Sequence, residues 1–343
     1  MNPADASATA PAGMVDLASA RVGGIALVAN DEFFAAKENL LKADRGVFIP
    51  DKYTDRGKWM DGWESRRRRT PGHDWCVVQL GLRGIIQRVD IDTNHFLGNH
   101  PPFASLDAVD LTNGFPSDLS ALQGLPWRAI LAQSPLNPGS QNLFDITSEQ
   151  AWTHVRLNII PDGGVARLRV YGVVVPDWSK LTPGALVDLA AIENGGVPLA
   201  CSDMFFSSMN NLIMPGRAEN MGDGWETKRR RAPGHDWIIL KLGLPGSIGK
   251  VEIDTNHFKG NYPDLCSLDA CSASGASITD LTSLEQRWSE LLSKTKLQAD
   301  TQHFFEHELS SLGDCTHVRL NIFPDGGVSR LRVWATPRVM QKA

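Results

Sequence analysis

The chain has 343 residues, of which 42% are hydrophobic and 21% are charged, a globular composition with room for two domains. Its formal net charge of -5 and its pI near 6.0 argue against a general nucleic-acid-binding protein, which usually carries excess positive charge. No apolar run approaches the roughly 20 residues that span a bilayer, so we expect no membrane association.

The N-terminal residues 1–13, MNPADASATAPAG, contain neither an early cluster of positive charge nor an apolar core. A secretory signal peptide would have both, so a disordered tail is predicted. The five cysteines are odd in number and form no CxxC pair, which disfavours a disulfide framework or a zinc ribbon. These features are typical of a protein of the reducing cytoplasm.

After the tail, the chain repeats itself. Residues 61–99 align without a gap with residues 223–261 at an offset of 223 − 61 = 162, and 26 of these 39 positions are identical. The stretch HVRLNIIPDGGVARLRV from His154 matches HVRLNIFPDGGVSRLRV from His317, at an offset of 317 − 154 = 163. A duplication of this length predicts two tandem domains with the same fold.

The two copies differ by an insertion. Residues 15–34 match residues 187–206 at an offset of 172, so the first copy contains 172 − 162 = 10 extra residues between Leu41 and Met60. This segment is long enough to form an interface arm or a lid over one site. The predicted organisation is a first repeat at 14–175, a proline-containing linker at 176–185 and a second repeat at 186–338.

Both copies have mainly the pattern of β-strands. In HVRLNI, the apolar residues Val155, Leu157 and Ile159 alternate with polar ones, which is typical of a half-buried strand. PDGG then supplies turn residues, and the next alternating run predicts the return strand of a hairpin. Helical patterns are confined to short pieces such as DEFFAAKENLLK, which Asp31 could cap, and LTSLEQRWSELLSKT. Many short strands with Gly/Pro-rich turns predict an all-β, antiparallel β-sandwich.

Three pairs of motifs carry a resemblance to a known family. They are DTNHFLGN and DTNHFKGN at residues 92–99 and 254–261, the two DGWE…RRR…PGHDW blocks, and the two HVRLNI-PDGG segments. Together they resemble the allantoicase family over nearly the whole chain, from Val15 to Val333. The resemblance implies a tandem duplicated jelly-roll sandwich of galactose-binding-like type. It also implies hydrolysis of allantoate to ureidoglycolate and urea in purine catabolism.

Allantoate is a small anion with one carboxylate and two ureido groups. Arginine suits the carboxylate because its planar guanidinium binds in bidentate fashion, and asparagine matches the ureido groups. The arginine run of residues 66–69 recurs at 228–231 with lysine first. If the run is extended, alternate residues face opposite sides. The run then either binds the substrate anion or pairs structurally with Glu64 or Asp74, unless it is a surface patch or a nuclear-localisation segment.

The DTNHF-GN motif is the best candidate for proton transfer, because it ends a strand at a glycine-containing loop. His95 is either a general acid or base, or a structural histidine that fixes the loop. Adjacent residues point apart on a strand, so His73 and Asp74 form no dyad by sequence alone. The candidate catalytic residues are His95, Asp92 and Glu64 with His257, Asp254 and Glu226; the candidate substrate-binding residues are Arg67, Arg69, Asn94, Asn99 and His73 with Arg229, Arg231, Asn256, Asn261 and His235.

No cofactor is predicted with certainty. The HFFEHE sequence places His303 and His307 four residues apart, which would suit a metal pair on a helix. A loosely bound divalent ion such as Mn²⁺ on His95, Asp92 or Glu64 is the other alternative. The expected partner is the small-molecule substrate, with homo-oligomerisation left open. The competing interpretations are a non-catalytic jelly-roll module that binds a small anion or glycan, and a related ureide hydrolase.

Overall fold

The computed structural model describes residues 13–111, 114, 116, 119–283 and 288–338. The chain divides between Val175 and Pro176 into two compact units. Except for Gly13, the predicted disordered tail lies outside the described residues. Within the described ranges, none of the helices has the length and apolar character needed to cross a bilayer.

The described part of the first unit is built almost wholly from β-strands. Three short 3₁₀ helices interrupt them, at Ala20–Val22, Lys37–Leu41 and Leu119–Gly124. The strands are β1 (Val15–Asp16), β2 (Ile25–Ala29), β3 (Tyr53–Thr54), β4 (Gly57–Lys58), β5 (Trp63–Glu64), β6 (Asp74–Asp92), β7 (Phe103–Val109), β8 (Arg128–Pro135), β9 (Leu143–Asp145), β10 (Ala151–Ile160), β11 (Gly164–Val165) and β12 (Arg167–Val174).

The second unit repeats this order without counterparts of β3 and β4. It has 3₁₀ helices at Trp178–Lys180, Ile192–Asn194, Met209–Ile213 and Met221–Asp223 and one short α-helix, α1 (Ile278–Thr282). Its strands are β13 (Val187–Asp188), β14 (Val197–Cys201), β15 (Trp225–Glu226), β16 (Asp236–Asp254), β17 (Leu265–Cys271), β18 (Ser289–Lys296), β19 (Gln302–Phe305), β20 (Asp314–Phe323), β21 (Gly327–Val328) and β22 (Arg330–Pro337).

One long strand organises each unit. β6 runs for 19 residues; its beginning pairs with β2 and β10, and its end pairs with β12 and β9. The strand order is β1-β12-β6-β10-β7-β8, and the second unit repeats it as β13-β22-β16-β20-β17-β18. All these pairings are antiparallel, which confirms the predicted duplicated antiparallel β-sandwich.

The apolar face of each sheet forms the core. Val155, Leu157 and Ile159 are fully buried, as their alternation predicts, and Trp63 is also completely inaccessible. Burying each such side chain stabilises the fold by about 1.5–3 kcal/mol. β5 and β15 are thereby anchored by a tryptophan, and the glutamate that follows each tryptophan is held at the edge of the core.

The predicted hairpin around PDGG is wrong. β10 and β12 do not pair with each other; each pairs with β6, β10 at its beginning and β12 at its end. The turn residues therefore carry the chain from one end of β6 to the other. Alternation shows that both runs are strands, but it does not encode the strand with which each one pairs.

Two predicted helices are also corrected. In DEFFAAKENLLK only Lys37–Leu41 is helical, as a 3₁₀ turn, and Asp31 instead accepts hydrogen bonds from the backbone of Phe33 and Arg66. In LTSLEQRWSELLSKT the helix α1 ends at Thr282, and Ser289–Lys296 is strand β18 paired with β17. Leu291 and Leu292 are both buried beside a register shift, so their spacing imitates a helical face.

Candidate active site

The DTNHF-GN loop is fixed by a hydrogen bond at almost every polar position. Asp92 ends β6 and accepts a hydrogen bond from the backbone of Asn94 at 2.9 Å. Thr93 donates to the carbonyl of Asn137 at 2.6 Å. The side chain of Asn94 donates to the Gly46 carbonyl at 2.8 Å, and Nε2 of His95 donates to the same oxygen at 3.2 Å. The loop is therefore rigid, and it holds the chain at residue 46.

His95 has an unusual backbone conformation. Its φ is +68°, and His257 has the same value, in a region that non-glycine residues seldom adopt. Phe96 follows and is fully buried against Gly164, where an added Cβ would lie 2.0 Å from the ring. The buried ring and the two side-chain bonds to Gly46 outweigh the backbone strain. Such strain is typical of functional sites, and it presents the imidazole to solvent.

Glu64 and Asn99 form the centre of the candidate site. The amide of Asn99 donates to Oε1 of Glu64 at 2.7 Å, although the two residues are 35 positions apart. The contact forms because β5 pairs with β11 and the backbone of Gly164 donates to the Asn99 carbonyl at 2.8 Å. Burial raises the pKa of Glu64 above its usual value, and the Asn99 hydrogen bond partly opposes this shift.

The second unit repeats this arrangement. Asn261 donates to Glu226, and burial likewise raises the pKa of that glutamate. Nε2 of His257 donates to the Ala218 carbonyl at 2.9 Å, and Asn256 donates to the same oxygen at 3.1 Å. A carboxylate with a raised pKa beside an amide and an imidazole is suited to proton transfer near neutral pH.

In the first unit these side chains line an open cavity of about 330 Å³. Glu64, His95 and Asn99 contribute its polar groups, and Lys58 is the only cationic residue in its lining. The volume suits a small organic molecule. The remaining lining residues are Phe34, Met60, Leu97 and Gly98.

The arginine run alternates between paired and unpaired side chains. Arg66 binds Asp31 at 2.7 Å, and Arg68 binds the buried Asp74 at 2.6 Å. Arg67 and Arg69 are exposed and have no ion pair within the described part of the chain. Both interpretations of the run thus apply, to alternate residues: the even-numbered arginines are structural, and the odd-numbered ones are available to an anion.

The second unit shows the same alternation. Lys228 pairs with Asp203 at 3.3 Å and Arg230 with Asp236 at 2.5 Å. Arg229 and Arg231 are exposed, and the four residues of the run line a cavity of about 280 Å³. The lining of this cavity includes neither Glu226 nor His257. In each unit the structure therefore separates the arginine run from the Glu–His–Asn cluster.

His73 and His235 lie beside the arginine run and away from the glutamates. His73 is exposed and lines a cavity of about 280 Å³ with Arg68 and Arg156. His235 is half-buried, its Nε2 lies 3.3 Å from Oδ1 of Asn321, and its ring packs on Phe323 with centroids 4.6 Å apart.

The aspartates of the motif are engaged by arginines. Asp92 accepts from Arg45 at 3.1 Å, and Asp254 accepts from Arg217 at 3.1 Å. These contacts make both aspartates anchors for the segment before residue 46 or 218. The predicted Asp–His dyad has no hydrogen bond between the two side chains: the described contacts of Asp92 are with Arg45 and Asn94.

Other arginines of the sheets are structural, as their strand positions suggest. Arg156 pairs with Asp107 at 2.8 Å, and Arg167 is buried with its guanidinium 2.7 Å from Asp61. The sequence missed two parts of the site, the Gly46 carbonyl and Lys58. The insertion was the available signal for Lys58, because this residue has no counterpart in the second copy.

Among the described residues, no group of three or more His, Cys, Asp or Glu side chains could hold a metal ion. The helical metal pair is wrong, because His303 lies in strand β19 and its Nδ1 lies 3.0 Å from the Ile253 carbonyl. His95, Asp92 and Glu64 bond to Gly46, Arg45 and Asn99, respectively, so they do not converge on one point. The five cysteines are free, and burial raises the pKa of each thiol.

Comparison with known proteins gives a consistent result. Residues 15–175 and 187–338 each match the family described as the allantoicase repeat. A probable allantoicase 1 of Burkholderia mallei is 53% identical over 322 residues, covering 94% of each chain. A probable allantoicase of Pseudomonas aeruginosa is 51% identical over 95% of this chain and 96% of its own. The crystal structure of allantoicase from Saccharomyces cerevisiae superposes with a TM-score of 0.78 at 36% identity, covering 94% of this chain and 93% of that one.

Proposed function

Because the chain belongs to the allantoicase family, we propose that it hydrolyses allantoate to ureidoglycolate and urea at the Glu–His–Asn cluster of each unit. The supporting observation is the raised pKa of Glu64 and Glu226, each hydrogen-bonded by an asparagine in the same geometry. A duplicated chain that keeps one buried polar arrangement in both copies is consistent with two copies of one site.

In this proposal the glutamate is the general base. It takes a proton from water, whose oxygen attacks the central carbon of allantoate while the bond from that carbon to one ureido nitrogen breaks. The raised pKa makes the carboxylate a better proton acceptor than an exposed glutamate. Asn99 orients Glu64, and its own amide oxygen remains available to accept a hydrogen bond from a ureido N–H.

The histidine supplies a proton to the departing urea nitrogen. Nε2 of His95 donates to the Gly46 carbonyl, so Nδ1 is the atom available for proton exchange. His257 has the same bond to Ala218. Fixing the ring through one nitrogen orients the other, which is how a positioned imidazole gains over a free one.

The unpaired arginines attract the anionic substrate. Arg67 and Arg69, with Arg229 and Arg231, are exposed guanidinium groups without ion pairs in the described part of the chain. Clustered positive charge on an acidic protein raises the local concentration of an anion at low ionic strength. His73 and His235 lie beside these arginines and extend the same polar surface.

The direct test is incubation of the purified full-length chain with allantoate and an assay for urea. We expect one urea per allantoate consumed, and ureidoglycolate as the other product. The assay is run as purified, after chelation, and with added Mn²⁺. Binding of allantoate without urea release under all three conditions would overturn the proposal and favour a non-catalytic anion-binding module.

A further inference from the structure

We infer that Lys58, carried by the insertion of the first unit, binds the carboxylate of the substrate in the Glu64 cavity, so that the two sites are not equivalent. The inference rests on the proposed function and extends it. The Glu64 cavity contains a base, an amide and an imidazole, but the unpaired arginines do not line it. An anionic substrate needs a cation there, and Lys58 is the cation in the lining.

The insertion folds back over the site as an arm, here defined as residues 47–60. Strands β3 and β4 pair within it, and Tyr53 lies opposite Lys58. Phe48 stacks on the ring of His95, with centroids 5.6 Å apart and planes inclined by 29°. The ammonium of Lys58 lies 5.0 Å from the centre of the Phe48 ring and 4.5 Å from that of Tyr53. The arm therefore places a positive charge next to the face that covers the candidate imidazole.

The arm also anchors to the wall of the cavity. Arg56 donates to the Phe33 carbonyl at 2.9 Å, and its guanidinium lies 5.0 Å from the Phe33 ring. Its other end is held by Asp61, which accepts from the backbone of Val47 at 3.1 Å. Anchors at both ends fix the arm, and with it Lys58, over Glu64.

The second unit lacks this cover. Residues 219–222 replace the arm, four residues instead of fourteen. The aromatic pair that the arm covers, Phe33 and Phe34, corresponds to Phe205 and Phe206, which are 69% and 62% exposed. Phe33 is 39% exposed and Phe34 is half-buried. The same pair of rings is thus covered in one copy and open in the other.

Lys58 is free to bind an anion. None of the ion pairs in the described residues includes it, although Lys37 and Lys42 nearby in sequence each bind a carboxylate. Its neighbours are the faces of Phe48 and Tyr53, which attract a cation but do not neutralise it. A lysine held on aromatic rings beside a polar cavity is preorganised for a carboxylate.

The experiment separates the two sites by inactivating one at a time. In the Glu226→Gln background only the first site works, and Lys58→Met is expected to raise KM about tenfold with little change in kcat, because a charge-assisted hydrogen bond is lost. Lys58→Arg should restore KM to within about threefold. In the Glu64→Gln background Lys58→Met should change nothing. Lys52→Met is the matched control, because Lys52 lies on the same arm but over Trp59 at 3.7 Å.

A binding measurement keeps this inference apart from the proposed chemistry. Calorimetry with allantoate and the Glu64→Gln/Glu226→Gln protein should show two unequal sites, and Lys58→Met should weaken only the tighter one. Two equal sites, or equal weakening of both, would refute the role of Lys58 whether or not the wild-type chain releases urea. Absence of urea from a wild-type chain that binds in this unequal way would instead refute only the proposed catalysis.

Discussion

The two units share a buried framework but differ in what covers it. In both, a histidine with φ of +68° and an asparagine donate to one carbonyl, and a second asparagine donates to a glutamate. The arm of residues 47–60 covers this cluster in the first unit, whereas four residues cross the same gap in the second. The chemistry depends on buried contacts that tolerate little change, and substrate selection depends on a surface segment that tolerates insertion.

The largest expected effect comes from breaking what the units share. Replacing both Glu64 and Glu226 by Gln keeps the hydrogen-bonding shape but removes the base, so kcat should fall by about 10²-fold or more. Steady-state urea release measures it, with circular dichroism as the control for folding. If the double variant keeps more than about a tenth of the wild-type kcat, the glutamates are not the base.

The next effect concerns the buried arginine that supports each site. Arg167 is 1% exposed, and its guanidinium binds the Asp44 and Asp61 carbonyls and the Asp61 carboxylate. Arg167→Met leaves these acceptors buried, and it should lower the free energy of unfolding by about 3–5 kcal/mol. Urea denaturation measures this loss.

Arg330→Met is the same change in the second unit, where the guanidinium binds Asp223 at 2.9 Å. Arg67→Met is the exposed control and should stay within about 0.5 kcal/mol of wild type. A loss in one unit only would show that the shared framework is not equally important in both.

Two buried histidines predict similar acid sensitivity for the two units. Burial lowers the pKa of His154 to about 4 and that of His317 to about 4, from 6.5. The folded state therefore binds fewer protons than the unfolded state, and stability is lost as pH falls from 6.5 towards 4. Each histidine should account for about 3 kcal/mol of that loss.

The check is the urea midpoint of wild type and of His154→Gln or His317→Gln at pH 7 and pH 4.5. Each variant should show a shallower decline in stability than wild type. The charges nearby differ, since Asp110 raises the pKa of His154 and Lys241 lowers that of His317. The first unit should consequently be the less acid-sensitive of the two, and identical slopes for wild type and variants would contradict the assignment.

The sequence predicted the β-sandwich because alternating burial and turn residues are local signals. Val155, Leu157 and Ile159 alternate and are buried. It failed for strand partners, because β10 and β12 have the same alternation whether they pair with each other or with opposite ends of β6. It failed for Leu291 and Leu292 because adjacent buried leucines beside a register shift have the spacing of a helix.

The site was predicted only as far as repetition reached. Both copies contain Glu64, His95 and Asn99 or their counterparts, so comparing the copies selects these residues. The contact between Glu64 and Asn99 spans 35 positions and depends on the pairing of β5 with β11, which is not a local signal. Lys58 has no counterpart, so a search for what the copies share could not find it.

The smallest expected effect separates the arginines by their partners. Arg67→Gln with Arg69→Gln removes two unpaired charges, so KM should rise severalfold at low ionic strength and the rise should shrink as salt screens the remaining field. Arg68→Gln is the matched change at a paired position. It leaves the buried Asp74 without its cation, and it should lower stability by more than the double variant does. Rates at 10 mM and 300 mM salt, about 30 and 6 Å in Debye length, with thermal unfolding of both proteins, measure the contrast. A KM that ignores salt in wild type would show that the exposed arginines do not attract the substrate in either unit.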